Sequence, residues 1–60
     1  MAVEIGLSDG TKLVLANRDA REGDVVDTVR DEPDGVMTIV TDDGSFRVVI
    51  RHVVFVRTID

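Results

Sequence analysis

The sequence predicts a β-dominated α+β fold in one domain spanning residues 1–60: a β-hairpin, a short helix and a three-stranded antiparallel meander. Three observations lead to this prediction. Apolar residues alternate with other residues on both sides of the first Asp-Gly pair, which is the period of a strand. Asp-Gly then recurs at positions 34–35 and 43–44, next to Val-rich segments. Between the first two pairs lies a charged stretch that carries Val at helical spacing.

The first hairpin is predicted to close through a three-residue loop at positions 8–10. This loop places Ile5 opposite Leu13 and collects the apolar side chains of both strands on one face. A two-residue loop would shift the register by one and divide the same side chains between two faces. The matched faces therefore favour the longer loop.

Three glycines are predicted to be structural turn residues, namely Gly10, Gly35 and Gly44. Each follows an Asp, and Asp-Gly is a common turn pair because Gly adopts positive φ without a steric cost. We expect positive φ at Gly10, in the left-handed position of a bulged loop, and also at Gly44.

The charged stretch predicts a short helix near residues 24–32, with Asp24 as its N-cap. Pro33 and Gly35 would end it. The same residues also have some strand character, since Val and Thr favour strands and Pro-Asp-Gly is a good hairpin turn. The helix is preferred because three valines then share one face: Val25, Val26 and Val29.

The last part of the chain predicts three strands, Val36–Thr41, Ser45–Ile50 and Val53–Ile59, with a tight break at Arg51-His52. An all-β small barrel of the Sm-like kind is the alternative fold. Residues 50–53 resemble the closing segment of that barrel, which also runs strand, tight break, strand.

The overall pattern resembles a loose group of very small proteins from high-GC bacteria and their phages. The residues that carry the resemblance are Leu7–Leu15, Asp24–Arg30, Thr38–Val49 and His52–Val56. They form the order strand, Asp-Gly, strand, helix, strand, Asp-Gly, strand, strand. The resemblance implies a fold rather than an activity.

The charge balance argues against nucleic acid and membranes as partners. Twelve acidic residues against seven basic ones give a net charge of −5, which repels phosphate. Two Phe residues are the only aromatics, so a stacking platform for bases is missing. No apolar run approaches the roughly 18 residues that a membrane span needs. The N-terminal residues lack the basic segment of an export signal, which predicts a cytoplasmic protein, or a virion protein if a phage encodes it.

The sequence predicts no catalytic, metal-binding or cofactor-binding site, and hence neither an enzyme nor a small-molecule substrate. It holds no Cys, and His52 is its only imidazole. Ser8 and Ser45 lie in turns, where a hydroxyl normally bonds the local backbone. The acidic residues do not follow the spacing of a calcium loop; residues 31–35 are an alternative, weak cation site.

The apolar residues near the C-terminus predict a protein–protein interface that contains Val49, Val54 and Val56. The strand from Val53 has four consecutive apolar residues, whereas a strand with one face in water should alternate. We therefore expect Val54 and Val56 to face away from the core, against another copy or a larger partner. The predicted function is a non-enzymatic interaction or structural module, such as a minor capsid-associated protein of a phage. The alternative is a regulatory or nucleic-acid-binding small barrel.

Overall fold

A computed structural model describes all 60 residues and contains five strands, one α-helix and one 3-10 turn. Three strands form one antiparallel sheet in the order β2-β1-β5, and β3 and β4 form a second antiparallel sheet. The elements in chain order are β1 (Ala2–Leu7), β2 (Lys12–Val14), α1 (Glu22–Asp31), β3 (Val36–Thr41), β4 (Gly44–Val49), the 3-10 turn (Ile50–His52) and β5 (Val53–Ile59).

The β-dominated α+β class is confirmed, but the last strand has a different neighbour from the one a continuous meander requires. β5 pairs with β1 and not with β4. The 3-10 turn at Ile50–His52 redirects the chain out of the β3–β4 sheet, and β5 then supplies the second neighbour of β1. In that position β5 forms backbone hydrogen bonds with the second edge of the buried strand β1. Without β5, the N–H and C=O groups at that edge of β1 would lack partners.

The alternative Sm-like barrel is not formed, although the closing segment does have its expected order of strand, turn and strand. The two sheets stay separate. β2 is only three residues long. One backbone hydrogen bond, from Ala16 N–H to Val40 O at 2.9 Å, joins the segment after β2 to β3, and the chain then continues towards α1. A strand this short does not extend along β3 far enough to close a barrel.

The predicted register of the first hairpin is confirmed. Ile5 lies opposite Leu13, and Leu7 N–H donates to Thr11 O at 2.8 Å across a three-residue loop. Gly10 has φ +91°, the left-handed conformation that the loop requires. The Asp9 carboxylate accepts the Thr11 N–H at 2.9 Å, and this hydrogen bond holds the Asp9 pKa below its ordinary value.

The second hairpin closes through a two-residue loop, because Thr41 pairs with Gly44. Gly44 has φ +138°, as predicted, although it is the first residue of β4 and not the last of the loop. Gly35 also lies at a turn: its N–H donates to Glu32 O, and its carbonyl accepts the Ile50 N–H, both at 2.9 Å. Gly35 thus connects the end of α1 to the 3-10 turn.

The predicted helix is present, but it begins at Glu22, so the prediction that Asp24 is the N-cap is wrong. Asp24 lies in the first turn, where its charge still favours the helix dipole. The N-cap is Arg21, whose side chain makes no capping hydrogen bond. The helix ends at Asp31, before Pro33, and its half-buried face holds the expected residues, Val25, Val26 and Val29.

The hydrophobic core lies between the inner faces of the two sheets. Its centre consists of Ile5 and Leu13 from the first sheet and Ile39 and Val48 from the second, all buried. Val25 of α1 packs against this cluster from one side. Each sheet thus has one face on the core, the arrangement expected for a two-layer domain.

The central strand β1 is also buried on its second face, by side chains of β5. Gly6 lies opposite Phe55, and a Cβ at position 6 would come within 2.0 Å of the Phe55 ring. Glu4, only 8% exposed, accepts a hydrogen bond from Arg57 Nε at 2.6 Å. The Arg57 guanidinium lies 5.8 Å from the Phe55 ring centroid, which links the two contacts.

The contact between Gly6 and Phe55 gives a first testable prediction. We expect Gly6→Ala to lower the free energy of unfolding by about 1–3 kcal/mol, because the added methyl group displaces the ring. Gly23→Ala is the matched control, since Gly23 lies in the helix with open space around it. That variant should keep or raise stability. Urea denaturation at one protein concentration measures both, and equal stability of the two variants would contradict the packing described.

The pair formed by Glu4 and Arg57 gives a second prediction. Arg57→Met leaves a buried carboxylate without its partner and should cost about 1–3 kcal/mol. Adding Glu4→Gln to that variant should recover part of the loss. Denaturation of the wild type, both single variants and the double variant forms a double-mutant cycle. Strictly additive effects of the two substitutions would show that the pair is not coupled.

Candidate functional site

A surface groove of about 360 Å³ lies between the first hairpin and β4; we call it the edge groove. Leu7 and Leu13 line the wall formed by the hairpin, and the four consecutive residues Phe46–Val49 line the opposite wall. Because four successive residues of one strand contribute, the groove runs along the strand. An elongated, mainly apolar groove of this size is suited to an extended segment of polypeptide.

The outer edge of β4 has no neighbouring strand. Its only neighbour is β3, and its residues make no other backbone hydrogen bond. Since a two-residue loop closes on a hydrogen-bonded pair, Gly44, Phe46 and Val48 direct their N–H and C=O groups towards β3. The backbone groups of the alternate residues point outward, and these residues are Ser45, Arg47 and Val49. Three residues of β4 are therefore ready to pair with another strand.

The other edges of the two sheets adjoin parts of the same chain. β2 and β3 lie side by side where Ala16 N–H donates to Val40 O. β5 has α1 beside it, and Thr58 Oγ1 donates a hydrogen bond to Glu22 Oε1 at 3.2 Å. β3 makes one such backbone hydrogen bond on its outer side, whereas β4 makes none, so β4 is the strand edge that we consider for a partner.

Phe46 is the largest side chain exposed at the edge groove. It lies opposite Ile39, on the face of β4 that points to the core, yet it is 41% exposed because it lies near the open end of the two-layer core. Val36 and Val40, also exposed, lie on the opposite face of the same two-stranded sheet. The β3–β4 sheet thus presents apolar side chains on both faces near a free edge.

Ser8 and His52 line the edge groove and are hydrogen-bonded to each other. Ser8 N–H donates to His52 O at 2.8 Å, and the Ser8 hydroxyl hydrogen-bonds His52 Nδ1 at 3.2 Å. These contacts join the loop of the first hairpin to the 3-10 turn across 44 residues of sequence. The expectation that the Ser8 hydroxyl bonds its local backbone is therefore wrong, since the hydroxyl hydrogen-bonds the His52 imidazole.

The proximity of Ser8, His52 and Asp9 does not reproduce the geometry of a catalytic triad. In a triad the imidazole lies between the nucleophile and the acid and hydrogen-bonds both. Here the Asp9 carboxylate bonds the Thr11 N–H, and His52 makes its one side-chain hydrogen bond to Ser8. The arrangement connects the loop of the first hairpin to the 3-10 turn.

The predicted interface residues occupy three different environments. Val49 lines the edge groove, half-buried. Val54 is 66% exposed. Val56, however, packs against the core, so the prediction that it faces outward together with Val54 is wrong.

A β-bulge explains why Val54 and Val56 face in different directions. Leu7 pairs with Val53, whereas the adjacent Gly6 pairs with Phe55, so Val54 is an extra residue without a partner on β1. The extra residue shifts the alternation by one position. Val53 and Val56 therefore both point to the core, and no sequence pattern signals the shift.

Two further observations concern metal ligands and membrane-spanning helices. No three of the His, Asp and Glu residues lie close enough together to hold a metal ion, and the acidic residues 31–35 form no such group. Neither helical segment has the length and apolar character of a membrane-spanning helix.

The chain was also compared with known proteins. No protein-family model, curated protein or solved structure matches it.

Proposed function

We propose that this chain is a non-enzymatic protein-interaction module, a subunit of a homo-oligomer or of a larger protein assembly. The observation that carries the proposal is the unpaired edge of β4 beside the apolar edge groove. A strand from a partner would complete the outward hydrogen bonds of β4 and cover Phe46. The resemblance to very small bacterial and phage proteins favours a cytoplasmic or virion location, with a minor capsid-associated protein as the specific example.

The small size of the β3–β4 sheet supports the proposal. A two-stranded sheet is marginally stable by itself, and a domain of this length buries little apolar surface. With no cysteine for a disulfide, the remaining ways to gain stability are few. A third strand from a partner adds both hydrogen bonds and buried apolar area. The small buried apolar area and the two-stranded sheet, which limit the stability of the monomer, therefore favour association.

The interaction surface that we propose includes Val49 and Phe46 at the edge groove, with Val54 as a further contact beside the bulge. Burial of an exposed Val or Phe side chain contributes about 1.5–3 kcal/mol each. A net charge of −5 disfavours nucleic acid as the partner. The engagement of His52 with Ser8 supports a structural and not a catalytic use of the one imidazole.

Light scattering at low and high salt concentration tests the proposal. We expect a mass that is a multiple of the 6.6 kDa chain, or a stable complex with a co-purifying protein. A monomer that binds an oligonucleotide, with an affinity that falls steeply as salt is added, would instead support the nucleic-acid-binding alternative.

Two matched substitutions on β5 test the role of Val54. Val54→Thr keeps the shape and strand preference of an exposed residue, so we expect weaker association at unchanged stability. Val56→Thr makes the same chemical change in a side chain that packs on the core and should lower the free energy of unfolding by about 1–3 kcal/mol. Sizing and urea denaturation of both variants measure these effects. Unchanged association of Val54→Thr would remove this residue from the contact.

A further inference from the structure

We infer that the partner strand at the edge groove comes from a second copy of this chain, through antiparallel pairing of β4 with β4 about a two-fold axis. This inference rests on the proposed function and names its partner. It is carried by the charges that flank β4, by the apolar side chains that the pairing brings together and by the direction of the free backbone groups.

The free backbone groups of β4 define the register of such a pair. A two-fold axis perpendicular to an antiparallel pair places one residue of the strand opposite the same residue of the second copy. If Arg47 lies at the axis, Ser45 of each copy pairs with Val49 of the other. All three outward-pointing residues then form hydrogen-bonded pairs. Moving the axis by one position leaves at least one of the three without a partner.

This register brings apolar side chains together on the inner face of the new four-stranded sheet. Phe46 of each copy lies opposite Val48 of the other, in a pair without hydrogen bonds, where side chains approach most closely. Both residues line the edge groove in the single chain. The Phe46 ring of one copy would therefore enter the groove of the other and cover the open end of its core.

The same register pairs opposite charges at both ends of the strand. Antiparallel pairing brings the start of β4 in one copy, which Asp43 precedes, next to the end of β4 in the other copy, which Arg51 follows, and the two-fold axis repeats this approach. Within the chain neither side chain has a partner: the one salt bridge joins Arg57 to Glu4. Antiparallel self-pairing therefore brings charges of opposite sign near each other at both ends of the paired strands.

Arg47 opposes the pairing, because the two copies of this residue face each other at the axis. Like charges directly opposite on neighbouring strands are destabilising. Arg47 is exposed and has no salt-bridge partner in the chain. Its charge limits the strength of self-association and makes it a sensitive position for a test.

A charge exchange tests the inference in the full 60-residue chain. Asp43→Arg and Arg51→Asp each convert two attractive contacts into repulsive ones, so each should raise the dimer dissociation constant about tenfold or more. The double variant restores opposite charges and should return the constant to within about threefold of the wild type. Sedimentation equilibrium measures the constant, and circular dichroism confirms that each variant is folded.

Two substitutions at Arg47 test the position of the axis. Arg47→Thr removes the like charges and should tighten the dimer about threefold or more. Arg47→Pro removes an N–H that points away from β3, so a single chain tolerates it, while it blocks the central hydrogen bonds of the pair. We expect this variant to be monomeric. Arg47→Thr tests the same position if the Pro variant does not fold.

Two results would overturn the inference, and they bear differently on the proposed function. If the chain self-associates but neither the charge variants nor the Arg47 variants change the dissociation constant, the copies meet through another face and the interaction module stands. If the chain is monomeric at millimolar concentration, a second copy is not the partner. Salt-sensitive oligonucleotide binding by such a monomer would contradict the proposed function as well.

Discussion

The burial of β1 on both faces is the constraint on which the rest of this structure depends. One face contributes Ile5 to the core, and the other is covered by Phe55 over Gly6 and by Arg57 at Glu4. Because burial of both faces shields the backbone of β1 from water, the N–H and C=O groups at its two edges need hydrogen-bonding partners. The chain supplies β2 on one side and β5 on the other, and β5 is therefore taken from its sequence neighbour β4.

Because β5 pairs with β1, β4 has no second neighbouring strand. The bulge at Val54 directs Val53 and Val56 to the core, so the apolar excess of the C-terminal strand is largely absorbed within the chain. β4 loses the neighbour that a meander would have given it. The pairing of β5 with β1 thus leaves β4 with a free edge, an exposed Phe46 and the adjacent edge groove. These three features together form the surface that we propose for association.

The parts of the fold that local chemistry determines were predictable, whereas long-range pairing was not. The register of the first hairpin follows from which residues share a face, and positive φ at Gly10 and Gly44 follows from the turns. The order of the strands was not predictable, because Val-rich strands fit several neighbours equally well. The burial of Glu4 was not predictable either, because it depends on Arg57, 53 positions away. Of the residues that line the edge groove, Val49 was named from the sequence, while Phe46 and the link from Ser8 to His52 depend on contacts that no local pattern encodes.

Amide hydrogen exchange along β4 tests most directly the claim that its outer edge is the contact. At high protein concentration the N–H groups of Ser45, Arg47 and Val49 should exchange slowly, and dilution should make them exchange quickly. The N–H groups of Phe46 and Val48, which bond to β3, should stay protected at both concentrations and serve as the internal control. Fast exchange at all three outward positions at high concentration would show that the edge of β4 stays open to water and would contradict the account.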